Sequence, residues 1–85
     1  MLFHVTHTHD YSTCTTHVPE KMKVVGNGIT DAAKANGVTI HGRYSNRMEH
    51  TAFFILEADT FEAIDATFDA VLEFGHFEIT PVIKK

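Results

Sequence analysis

The sequence predicts an α+β domain in which four strands and two helices follow one another in the order βαββαβ, and two periodicities carry that prediction. Four runs, Leu2 to Thr8, Val38 to Tyr44, Thr51 to Glu57 and Phe77 to Ile83, are rich in β-branched and aromatic residues and suit strands. Between the first and second runs, and again between the third and fourth, apolar residues recur at helical spacing.

Leu2 to Thr8 alternates, with Phe3 and Val5 opposing Leu2. Pro19 to Ala35 is the first helix. Pro19 suits a first helical position, Met22, Val25, Ile29 and Ala32 make its inward stripe, and Asn36-Gly37 ends it. Gly26-Asn27-Gly28 interrupts this helix, and each interior glycine costs about 1 kcal/mol relative to alanine. A kink, a looped insertion or tight helix-on-sheet packing is expected there, ahead of close approach to a ligand. It is not a phosphate loop, because no Lys-Ser/Thr follows.

Ser45 to Glu49 reads as a polar hairpin connection between the second and third strands. In the second helix Asp59 and Glu62 have capping-box spacing, Phe61, Ile64, Phe68, Val71 and Leu72 form the apolar stripe, and Gly75 is the natural residue beyond its end. A βαββαβ chain of this kind folds as a ferredoxin-like split βαβ, a four-stranded antiparallel sheet with two helices on one face. The third strand sets Ala52, Phe54 and Leu56 on one side and Phe53 and Ile55 on the other, so both sheet faces are apolar. A second apolar face left wet is costly, and face-to-face pairing into a homodimer or higher even homo-oligomer is expected to cover it.

With 85 residues, 44% of them apolar, residues 1–85 make one small domain with a thin core, which oligomerisation would extend. Eleven acidic residues against seven basic ones, with no basic stripe, argue against a nucleic-acid partner. The single cysteine excludes an intrachain disulfide, and the N-terminal apolar run is too short and too interrupted by histidine for a leader or a membrane span. The expected location is cytoplasmic, with no membrane partner.

The chemistry concentrates in His7, His9, Cys14 and His17, which read H-x-H-x4-C-x2-H. On a strand His7 and His9 face the same way, and Cys14 and His17 are spaced to converge across a turn. Three imidazoles and a thiolate suit a transition metal, zinc first, with copper, nickel or iron also admitted, and Asp10 is a spare oxygen ligand. Cys14, His17 and Met22 have the spacing of a blue-copper loop, but two helices in so short a chain do not make that all-β sandwich, and Met22 is expected in the core. Four ligands would make a closed structural or carrier site; three would leave a position for water or dioxygen.

The opening Met-Leu-Phe-His-Val and the closing Phe-Glu-Ile-Thr-Pro-Val-Ile resemble the dimeric α/β-barrel superfamily. Gly42-Arg43-Tyr44, His50 to Asp59 and Phe77 to Ile83 resemble, more closely, an uncharacterised family of short bacterial domains within it, and the opening pentapeptide is similar to the muconolactone isomerases. The resemblance implies a dimeric barrel, in a superfamily that includes cofactor-free monooxygenases, isomerases, haem-handling enzymes and stress proteins. Because the matching residues are core and edge positions, it carries no catalytic residue across.

Two functions therefore compete. One is a metal-binding protein for storage, sensing or metal-dependent catalysis. The other is a cofactor-independent monooxygenase or isomerase acting on a small organic molecule in the interior pocket. For that chemistry the candidate polar groups are His4, His41, Arg43, Tyr44, His50, His76 and Glu78, with a histidine as general base and Arg43 holding an anionic oxygen.

Overall fold

A computed structural model describes residues 1–15 and 17–85 of the chain. The strands are β1 (Leu2–Thr8), β2 (Thr39–Asn46), β3 (Thr51–Glu57) and β4 (His76–Val82), joined in one antiparallel sheet of order β2-β3-β1-β4. Two helical segments connect them. The first runs through α1 (Pro19–Lys23), a π-helical turn (Val24–Gly28) and α2 (Ile29–Ala35); the second is α3 (Phe61–Phe68) followed by a 3-10 segment (Asp69–Phe74). This is the ferredoxin-like α+β arrangement that the element order predicts.

Register explains which residues enter the core. Val5 pairs with Phe54 on one side and Ile79 on the other, and Phe3 pairs with Leu56, so these side chains share the helix-covered face. Ile29 and Ala33 from α2, Ile64 and Phe68 from α3, and Val71 and Phe74 from the 3-10 segment close over them. Phe68 meets Phe54 edge-on with ring centroids 5.4 Å apart. Burying each of the larger of these side chains contributes roughly 1.5–3 kcal/mol. The opposite face carries Leu2, His4, Phe53 and Ile55, all half-buried, with Val82 toward the β4 edge.

Several local expectations change. The Gly26-Asn27-Gly28 stretch lies within the π-helical turn, and a side chain added at Gly26 would meet nothing within 4 Å. The glycines accompany this wide turn. Its extra residue shifts the helical phase: Ala33 is buried, Ala32 only partly so, and Met22, expected in the core, is 48% exposed.

The cap of α3 is Thr60, whose hydroxyl accepts from the Ala63 N–H at 3.2 Å; Asp59 stands one residue too early, and no capping box forms with Glu62. Phe61 and Leu72 are half-exposed, contrary to the predicted stripe, because Phe61 is the first residue of the helix and the tighter 3-10 winding turns Leu72 outward while bringing Phe74 inward. The hairpin connection shortens to a 3-10 turn at Arg47–Glu49, since Ser45 and Asn46 continue β2. Gly75 follows the 3-10 segment at φ 145°, ψ −158°, outside the left-handed helical cap conformation. A Cβ there would come within 2.6 Å of His7 Nε2, so the approach of β1 requires glycine.

Candidate metal centre

β1 delivers His7 to the helix-covered face in line with Phe3 and Val5. Its ring is buried, stacks on Phe77 with centroids 4.4 Å apart, and donates from Nε2 to the Phe74 carbonyl at 3.0 Å. Desolvation lowers its pKa below the ordinary 6.5, opposed by the carbonyl and reinforced by the charge of Arg43. His7 is thus a neutral imidazole committed through Nε2 to the fold.

His9 continues in the same direction just beyond the strand. Its backbone N–H donates to the His50 carbonyl at 3.0 Å, which carries the β1–β3 pairing one step past Thr8 and Thr51. The His9 ring then lies 5.3 Å from that of His7 and 5.0 Å from that of His50. Both His9 ring nitrogens and His50 Nδ1 are shielded from solvent and have no hydrogen-bond partner among the described residues. Shielded polar atoms left unmatched cost about 1–3 kcal/mol each. Desolvation lowers the His9 pKa, and the neighbouring His7 and His50 lower it further against the opposing Asp10, so the ring is held in the neutral form a metal needs.

His50 is placed by an unusual backbone. It has φ 51° and ψ 42°, the left-handed region, at the end of the Arg47–Glu49 turn. Asn46 fixes the start of that turn by accepting the Glu49 N–H on its side-chain oxygen at 3.3 Å, and the His50 N–H donates to the Arg47 carbonyl at 3.2 Å.

Cys14 arrives from the other side, on a loop shaped by Asp10. The Asp10 carboxylate accepts from the Ser12 N–H at 2.9 Å, the Ser12 hydroxyl at 2.5 Å and the Thr13 N–H at 3.1 Å. These bonds, that from the Ser12 hydroxyl above all, hold the carboxyl below its ordinary pKa. Asp10 thus holds the turn through Oδ1 and stands outside the group of His9, Cys14 and His50.

The structure brings His9, Cys14 and His50 together, with one ligand atom from each lying within 4.8 Å of the others. Around a tetrahedral ion with bonds of about 2.0–2.3 Å, ligand atoms stand roughly 3.3–3.6 Å apart. His7 stands outside this group, and so does His17, an exposed residue of the loop before α1 that shares with Cys14 and His50 the recess lined also by Arg47 and Met48.

Beside the group lies a cavity of about 390 Å³ between sheet and helices. His7 and His9 form part of its wall, with Arg43, Tyr44, Phe54 and Phe74. Arg43 donates to the carbonyls of Val25 and Gly26, both at 3.0 Å, which ties β2 to the π-helical turn. The other polar candidates do not line this cavity. His4 sits on the opposite sheet face, 6.1 Å from the Phe53 ring; His41 pairs with Glu57 at 2.6 Å; His76 and Glu78 make a loose exposed pair at 3.8 Å on β4.

The fold and its His/Cys group define an α+β ferredoxin-like domain with a candidate metal-ligand cluster at one end of its sheet. The chain belongs to the family described as "Domain of unknown function (DUF3303)", whose model matches residues 1–85. No curated protein and no solved structure matches the chain. No helix among the described residues is long and apolar enough to cross a membrane.

Proposed function

We propose that this domain binds a transition metal through His9, Cys14 and His50. The observation that carries the reading is the convergence of two imidazoles with unmatched, shielded nitrogens on the one thiol of the chain. A metal ion would supply a partner for one nitrogen of each ring. Two nitrogens and a sulfur suit zinc, with copper, nickel or iron also compatible in donor type. Three protein ligands leave a fourth position for water or a small molecule, where a bound ion acts as a Lewis acid. His17, which lines the same recess as Cys14 and His50, is the candidate for a fourth ligand.

Cobalt titration tests this donor set. Cobalt(II) should give a sulfur-to-metal charge-transfer band in the wild type that is absent in Cys14→Ser, with band intensities of a four-coordinate ion. Binding without that band, or an identical spectrum from Cys14→Ser, would remove the thiolate from the site.

We also propose that two copies pair through the uncovered sheet face. Leu2, Phe53 and Ile55 supply its apolar surface, as the barrel-superfamily resemblance implies.

A further inference from the structure

The cavity beside the cluster concentrates positive charge in an acidic chain. The formal net charge is −4, yet the lining contains Arg43 and Arg47 beside the neutral rings of His7 and His9, and no Asp or Glu. The ion pairs among the described residues are His41–Glu57 and His76–Glu78, so no carboxylate neutralises either arginine. Arg43 is fixed rather than free to swing out. Two of its N–H groups hold helix carbonyls and its guanidinium carbon lies 5.3 Å from the centroid of the Phe54 ring, while the remaining N–H groups of the fork are left for a ligand.

The rest of the wall defines the ligand's other properties. Val25, Ala52, Phe54 and Phe74 are apolar, whereas Thr13, Thr15, Ser45 and Thr51 carry hydroxyls. A cavity of about 390 Å³ fits a small molecule of modest size. An inorganic anion would satisfy the arginines and leave the phenylalanines unmatched. A neutral apolar molecule would do the reverse.

We propose that this cavity binds a small organic carboxylate, its charged end toward Arg43 and Arg47 and its apolar body against Phe54 and Phe74. The inference deepens the metal reading and rests on it in one respect: His9 belongs to both cluster and cavity wall, so a metal held there would border the bound carboxylate. The arginine end stands independently of the ion.

The test is calorimetric titration of the metal-free and zinc-loaded protein with benzoate, benzyl alcohol and inorganic phosphate. Benzoate should bind the metal-free protein at least about tenfold more tightly than benzyl alcohol, the range expected for charge-assisted hydrogen bonds. Arg47→Gln, on the exposed turn, should weaken benzoate by roughly tenfold while leaving the melting curve in place, and Arg43→Gln should weaken it at least as much. Zinc loading should tighten benzoate further. Absence of benzoate binding in both forms, equal binding of benzyl alcohol, or tighter binding of phosphate overturns the proposal. Zinc-loaded protein that binds benzoate no better than the metal-free form overturns the shared site. A protein that takes up no zinc refutes the metal reading alone, because the metal-free titration still decides the carboxylate.

Discussion

The His9 and His50 rings stand 5.0 Å apart with their planes 81° from parallel, joined through the backbone by the His9 N–H donating to the His50 carbonyl at 3.0 Å. One residue thus ends the pairing of β1 with β3 and the other begins it. The sheet itself sets the distance between the two imidazoles, while the Asp10–Thr13 turn sets the approach of Cys14.

His50 combines a proposed ligand position with a left-handed backbone, and the two roles separate by substitution. His50→Gly should leave the metal-free protein within about 1 kcal/mol of the wild type, since glycine adopts φ 51° without penalty but loses more chain entropy. His50→Ala keeps the strain and should be the less stable of the two. Both should weaken zinc by roughly a hundredfold or more, because even outer partners of a metal ligand contribute about ten- to a hundredfold. Zinc competition titrations and urea melts of the metal-free variants check this; unchanged zinc affinity in both would exclude His50 from the site.

Acid sensitivity has a local source away from the cluster. The hydrogen bond from His41 at 2.6 Å holds the Glu57 carboxyl below its ordinary value of 4.5. A carboxyl with a depressed folded-state pKa contributes stability that is present above 4.5 and lost as pH falls through the depressed value. The wild type should therefore lose more melting temperature than Glu57→Gln over that acid window. The pair is exposed, so the difference is small. Parallel profiles for the two metal-free proteins would refute the linkage.

The uncovered sheet face predicts self-association. Sedimentation at micromolar concentration should show a dimer or higher even oligomer, and Phe53→Glu, at the centre of that face, should shift it to monomer while preserving the circular dichroism of the fold. A wild-type protein that sediments as a monomer would contradict the pairing.

The order of elements was legible because burial imposes distinct periods on strands and helices; Phe3, Val5, Phe54, Leu56, Ile64 and Phe68 occupy the core as their spacing requires. The π-helical turn and the 3-10 ending were not, since they arise where tertiary packing overrides helical phase, as the outward Met22 and Leu72 show. Two of the three residues of the candidate cluster, His9 and Cys14, could be read from local spacing, whereas His50 lies far away in the chain. The signal that could have found it was topological. In this fold β1 and β3 are antiparallel neighbours, so the residue after the first strand faces the residue before the third. The turn role of Asp10 was not legible from the histidines around it; it comes from Ser12 and Thr13, which donate to its carboxylate.

The most direct test is elemental analysis of untagged protein, purified without added metal and dialysed against zinc, alongside His9→Ala, Cys14→Ser and His17→Ala. The His9, Cys14 and His50 site predicts about one transition-metal ion per chain in the wild type and in His17→Ala, with loss of the ion in the other two variants. A metal-free wild type, or full occupancy in His9→Ala and Cys14→Ser, would contradict it.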